Sequence, residues 1–155
     1  MTTHDPDMDD VVMLNIEGTP RPQPRPRFVR GKVVSTADAN AKRWKDSIRA
    51  AGKMAAEARG MVDAGAVAIV MRFDMPTPKP DRHGRPHTFR PDADNLAKLA
   101  LDAVMDAGLL KDDAAVSTLV VTKTWAAKGG LVMTIHDDDR TPSPVPASRF
   151  PDWIK

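Results

Sequence analysis

Residues 89–116, FRPDADNLAKLALDAVMDAGLLKDDAAV, hold two carboxylates one residue apart, Asp92 and Asp94. Lys98 follows, then an apolar helical run, then a second acidic pair, Asp112 and Asp113. Like charges at close range oppose joint ionisation, and the usual remedies are a shared proton or a divalent cation. The chain has no cysteine and no helical histidine pair, so oxygen ligands point to magnesium, with manganese as a substitute. Lys98 and Asp102 follow Asp94 at one-turn intervals on the same helical face. A lysine held there can neutralise a phosphate or charge developing on it, as metal-dependent phosphoryl transfer requires.

The elements around these residues must bring them together. Residues two apart on a helix point to different sides, so Asp92 and Asp94 converge only where the chain is extended. Pro91 biases Arg90 away from helix, which lets Asp92 continue an extended approach and Asp94 take the N-cap region. After the stop signal at Gly108, the returning chain can bring either Asp112 or Asp113 back to the first pair. Plainer uses exist for each part. Asp94 can be a simple cap, Asp94, Lys98 and Asp102 a solvated stripe, and Asp112 and Asp113 turn residues. These uses give the two acidic clusters no common reason. An EF-hand does not fit, because Leu96 holds its fifth position and Ala97 the place of its glycine. His83 and His87 fall in a Gly/Pro loop and read as exposed, and His136 to Asp139 read as a solvated strand end.

Periodicity supplies the frame. Val11 to Gly18 and Ala66 to Pro76 read as strands, and residues 114–127 and 131–136 as two strands joined by a turn at Gly129-Gly130. The four prolines of TPRPQPRPRF impose an extended loop, and FVRGKVVS reads as a hairpin turning at Arg30-Gly31. A helix capped by Thr36 or Asp38 runs to Gly60, with Ala41, Trp44, Ile48 and Ala51 on one face. A second begins near Asp94 or Asn95 and ends near Asp106. The expected fold class is α+β, a small mixed or mostly antiparallel sheet with two main helices packed on it. Residues 11–137 form its one domain, between an acidic flexible N-terminus (1–10) and a flexible C-terminal tail (138–155) in which Phe150, Trp153 and Ile154 can dock.

The 155 residues suit one domain, and 41% hydrophobic content can supply its core. No apolar run approaches membrane-spanning length, and four aspartates in the first ten residues do not make a secretory signal, so the expected location is the cytoplasm. Net charge is only +2, but it is segregated. Between Pro20 and Arg49 nine bases, among them Arg21, Arg25, Arg27, Arg30 and Lys32, face only Asp38 and Asp46. A second basic stretch runs from Arg72 to Arg90. Aspartates repel nucleic acid, so flanking bases of this kind are what would hold a phosphate backbone against them. Arginine on a stiff proline loop is the least easily read as mere solvation.

The run RPDADNLAKLALDAVMDAGLLKDDAAV resembles the signature of RusA-type Holliday-junction resolvases: a D-x-D-N opening, a lysine, a helix, then DD before a strand. GTPRPQPRPRF is similar to the family's N-terminal proline and arginine loop, and Lys123 falls in the strand after DD where such proteins often carry a lysine. The resemblance covers about Val11 to Ile135. It departs from the commoner pattern at Ala114 and Ala115 and in both terminal extensions. It implies a small, homodimeric, magnesium-dependent endodeoxyribonuclease of mixed α/β fold, often encoded by phages or prophages, that acts in DNA recombination and repair. It also implies that Asp92, Asp94 and Asp113 are the metal-associated catalytic acids and Lys98 the catalytic lysine, with Arg21, Arg25, Arg27, Arg30, Lys32 and Lys123 facing DNA. The expected reaction is resolution of four-way or other branched DNA by paired nicks, which suits a two-fold dimer. The alternatives are a broader branched-DNA nuclease and a non-catalytic branched-DNA-binding protein.

Overall fold

Val12, Leu14 and Ile16 point inward from β1 (Val12–Glu17) while the residues between them are exposed, the period-two pattern of a strand with one buried face. The computed structural model describes residues 11–34, 38–63 and 65–138. The expected flexible ends, Thr36, and Phe150, Trp153 and Ile154 lie outside the described residues.

After β1 the proline segment leads to a two-stranded hairpin, β2 (Arg27–Val29) and β3 (Lys32–Val34). Both turn residues, Arg30 (φ 51°) and Gly31 (φ 76°), have positive φ, as a two-residue turn matched to strand twist requires. Helix α1 (Ala39–Arg59) is capped by Asp38, whose carboxylate accepts from the Asn40 and Ala41 amides, and ends at Gly60 (φ 86°). It buries Ala41, Trp44, Ile48 and Gly52. A side chain at Gly52 would meet Ala107 Cβ at 3.0 Å, so this glycine lets α1 lie close against α2 (Ala93–Asp106).

The main sheet has the order β1-β6-β4-β5, with β4 (Val67–Pro76), β5 (Val116–Ala126) and β6 (Gly130–Asp137). β6 is antiparallel to both β1 and β4, whereas β4 and β5 are parallel. The sheet is therefore mixed, one of the two expected forms. A parallel pair cannot be closed by a tight turn, and the segment between β4 and β5 supplies the crossover through α2. The core lies between the sheet and the helices, around Ile48, Ile69, Met71, Phe73, Leu99, Val104, Leu131, Met133 and Ile135.

Gly129-Gly130 does turn the chain between β5 and β6, but these strands do not pair, because β4 lies between them. The turn passes over the end of β4 and is pressed against the end of β1. A Cβ on Gly129 would stand 2.5 Å from Gly18 O and 3.2 Å from the Pro76 ring, and Gly129 O already accepts from Gly18 N at 3.2 Å. Gly129→Ala should therefore destabilise the fold by about 1–3 kcal/mol, the usual cost of forcing a methyl into packed space. Gly65→Ala, where an added Cβ meets nothing within 4 Å, is the control. Urea denaturation checks both, and equal midpoints would show that the turn gives way freely.

Candidate active site

Helix α2 begins at Ala93, so the N-cap is Asp92 and not Asp94 as expected. Asp92 has the extended conformation anticipated after Pro91 (φ −70°, ψ 145°), and its carbonyl accepts from Leu96 N at 3.1 Å. Its carboxylate caps no amide. Asp94 sits in the first turn, where a negative charge is favoured by the helix dipole.

Two cations brace this helix start. Lys123 Nζ donates to Phe89 O and Pro91 O, each at 2.8 Å, on either side of Arg90. Arg25 donates from Nε and Nη2 to Asn95 Oδ1 at 3.1 and 2.6 Å, and its Nη2 lies 3.7 Å from Asp94 Oδ2. Gln23 N also donates to Asn95 O at 3.1 Å, so the proline segment is fastened to α2 through main chain and side chain together. Arg25 and Lys123, expected to face DNA, thus have donors committed to protein oxygens. Arg27, Arg30 and Lys32 are exposed on the β2–β3 hairpin, and Arg21 is partly buried.

Between α2 and β5 runs a groove of about 370 Å³. Asp94, Lys98 and Asp102 from α2, with Asp113, supply its polar groups, and Leu101, Leu119 and Val121 its apolar floor. Asp113 opens a short 3-10 turn, Asp113–Ala115, before β5. Asp112 caps that turn, its Oδ1 accepting from Ala114 N at 2.9 Å. The adjacent acids therefore have different surroundings: Asp112 is occupied by the backbone, and Asp113 faces the groove. Among the described residues the carboxylates of Asp92 and Asp113 and the ammonium of Lys98 make no hydrogen bond or ion pair. Asp94, Lys98 and Asp102 thus make no ion pair with one another along the helix.

Asp92 does not line the groove, and among the described residues no group of three or more acidic or histidine side chains stands together as a metal cluster. The donor chemistry nevertheless fits a hard divalent cation. Asp92 and Asp113 have uncommitted carboxylates, and Asp94 has only its long contact to Arg25.

An aromatic cluster adjoins the helix start. Residues 84–87 extend the edge of β5: Gly84 N donates to Trp125 O at 2.9 Å, Trp125 N to Arg85 O at 2.9 Å, and His87 N to Lys123 O at 3.0 Å. This pairing turns the His87 ring inward, 4.2 Å from Trp125, so His87 is buried rather than exposed as its loop setting suggested. Phe89 lies 5.9 Å from Trp125, and Arg82 stands over both rings. His83 is half-buried, with Nε2 2.8 Å from Thr77 O. Sequence reading missed Asn95 and the internal use of Lys123. Both had a signal. Asn95 is the fourth residue of DADN, and Lys123 shares its β5 face with Leu119, Val121 and Trp125, an inward register where a charge needs a partner.

Comparison with known proteins matches residues 17–136 to the family described as Endodeoxyribonuclease RusA. No curated protein matches. Among solved structures, "Dihydroxyacetone kinase operon co-activator Dha-DhaQ" aligns with a TM-score of 0.42 and 9% identity, over 85% of this chain and 41% of that one. Among the described residues no helix is long and apolar enough to cross a membrane.

The His87 imidazole is held below the ordinary histidine range, first by burial and then by the Lys123 charge, and its Nδ1 is buried without a partner. The unfolded chain therefore takes up this proton more readily than the folded one. The contribution to stability is complete above the unfolded value of about 6.5 and is lost as pH falls below it. His87→Phe keeps the ring packing and removes the titration. Its melting temperature should match wild type at pH 8 and exceed it progressively from pH 6.5 to 5. Parallel curves across that range would show that His87 takes up its proton equally readily in both states.

Proposed function

From the chain's membership of the RusA endodeoxyribonuclease family, to which it belongs over residues 17–136, we propose that it is a magnesium-dependent endonuclease resolving four-way DNA by paired nicks. The observation that carries this reading is the groove that Asp94, Lys98 and Asp113 all line, with Asp92 at the helix cap beside it and none of the three carboxylates bonded to a capped amide. Asp92, Asp94 and Asp113 would hold the magnesium ion. Bound there, it would activate water for attack on the phosphodiester and offset charge on the phosphate.

The chain's own groups do the rest. Lys98, unpaired on the same wall of the groove as Asp94, offers an ammonium to the phosphate oxygens as negative charge builds on them. Leu101, Leu119 and Val121 give the groove an apolar lining beside that ammonium. Lys123 holds the main chain on both sides of Arg90 and fixes the approach to Asp92. Arg25 ties the proline segment to Asn95 and softens the charge of Asp94. A two-fold dimer would present two such grooves to the symmetric strands of a junction, and recombination and repair in a bacterial or phage-infected cell is the setting this reaction serves.

The deciding experiment incubates the protein with labelled four-way, forked and linear DNA, with magnesium and with chelator. Paired nicks confined to the four-way junction and to magnesium are expected. Cutting of forks as well would select the broader nuclease, and metal-independent binding without cutting the non-catalytic protein. Asp92→Asn and Asp113→Asn should each lower single-turnover cleavage by at least about a hundredfold, whereas Asp112→Asn should keep most activity, since Asn can still accept from Ala114 N. The reverse order for the two neighbours would reassign the acid. Lys123→Met should raise the magnesium concentration needed for half-maximal cleavage and leave junction binding in chelator nearly unchanged. An unaltered magnesium midpoint would show that Asp92 is placed without it.

A further inference from the structure

A second, smaller pocket of about 220 Å³ lies where the proline segment leaves β1 and crosses α1. Arg21, Asn40, Arg43, Trp44 and Glu17 are among the residues lining it. Its volume falls below the roughly 300 Å³ at which small-molecule pockets begin, which suits a group of ionic size.

The charges around it are unusual for this helix. Within the first half of α1, Lys42 and Arg49 pair with Asp46 at 2.9 and 3.3 Å, and Lys45 pairs with Asp106 at 3.0 Å. The hydrogen bond from Lys42 holds the Asp46 carboxyl below its usual range, as expected of a committed pair. Arg43 is the exception: among the described residues neither its guanidinium nor that of Arg21 has a hydrogen bond or an acid partner. Glu17 lines the pocket too but makes no ion pair with either arginine, and the lining keeps a net positive charge. Two unpartnered guanidinium groups on one small pocket, beside an uncommitted Asn40 amide, form a donor set for a tetrahedral oxyanion. The Trp44 indole N–H is buried in the same region without a partner.

We propose that Arg21, Arg43 and Asn40 form a receptor for a second backbone phosphate of the bound DNA, outside the cleavage groove. The inference rests on the nuclease reading, and the chain path supports it. Arg21 is four residue steps from Arg25, which is fastened to Asn95 at the start of α2, so the two Cα atoms are at most roughly 14 Å apart. The prolines between them stiffen that span. One nucleic-acid strand can therefore touch the pocket a few nucleotides from the scissile phosphate, and the pocket would fix the register of the strand without taking part in the chemistry.

Two measurements test this. In the first, inorganic phosphate is titrated against the protein with the Trp44 indole N–H followed by NMR. A saturable shift is expected in wild type and its loss in Arg43→Gln. In the second, single methylphosphonates are scanned along a four-way junction in chelator. One or two positions should weaken wild-type binding about tenfold and have no further effect on Arg43→Gln, whose salt slope should fall by about 0.9. Arg43→Lys should recover most of the slope. An indifferent Trp44 signal, or methylphosphonate effects that all persist in Arg43→Gln, would overturn the pocket. A Trp44 shift with no junction binding at any salt concentration would leave an anion site and overturn the nuclease reading instead.

Discussion

The parallel pairing of β4 with β5 is the constraint from which the site follows. Such a pair obliges the chain to leave one end of the sheet and re-enter at the other, and here the whole acidic motif lies on that return path. Helix α2 fills the crossover, burying Leu96, Leu99, Ala100, Ala103 and Val104 against the core. Its opposite edge is left beside β5, whose inward residues Leu119 and Val121 it only partly covers. The groove is that uncovered strip. Asp94 and Lys98 reach it from the helix, and Asp113 reaches it because β5 must begin next to the start of β4. A hairpin between the same strands would leave no crossover to carry them.

This geometry makes the acids dependent on cations elsewhere. A helix start loaded with Asp92 and Asp94 is tolerable because the helix dipole favours negative charge, because Arg25 stands near Asp94, and because Lys123 secures the preceding carbonyls. Lys123 can do so because its β5 position points inward at the level of Phe73, beyond the cover of α2. The same loop that it holds turns His87 against Trp125, so the aromatic cluster and the acid site share one piece of backbone.

Much of this was legible in the residues. The Arg30-Gly31 turn, the Asp38 cap, the Gly60 stop and the extended approach to Asp92 are all set within a few residues of chain, where steric and capping rules act. What was not legible depends on distant partners. The turn at Gly129-Gly130 looks like that of a hairpin, and only the insertion of β4 between β5 and β6 separates it from one. His87 sits in a loop whose composition signals exposure, and its burial comes from pairing with a strand nearly forty residues away. The cap moved from Asp94 to Asp92 because both are good capping residues, and propensity does not choose between neighbours when Ala93 can adopt helical geometry.

The basic residues show why a charge count alone does not measure affinity for nucleic acid. Counterions are released when a free cation meets phosphate, and a cation already bonded to protein oxygens has less to offer. Lys42, Lys45 and Arg49 are ion-paired, Arg72 lies 3.3 Å from Asp74, Lys123 is spent on two carbonyls, and Arg25 is bonded to Asn95. Arg21 on the proline segment, Arg27, Arg30 and Lys32 on its hairpin, and Arg43 beside them keep their charges uncommitted among the described residues. Stiff backbone matters there: proline fixes the spacing of the arginines before any partner arrives, so less conformational entropy is lost on contact. The local excess of arginine in a chain of net charge +2 thus differs by position, with the paired bases supporting the scaffold and the unpaired ones keeping their charge uncommitted.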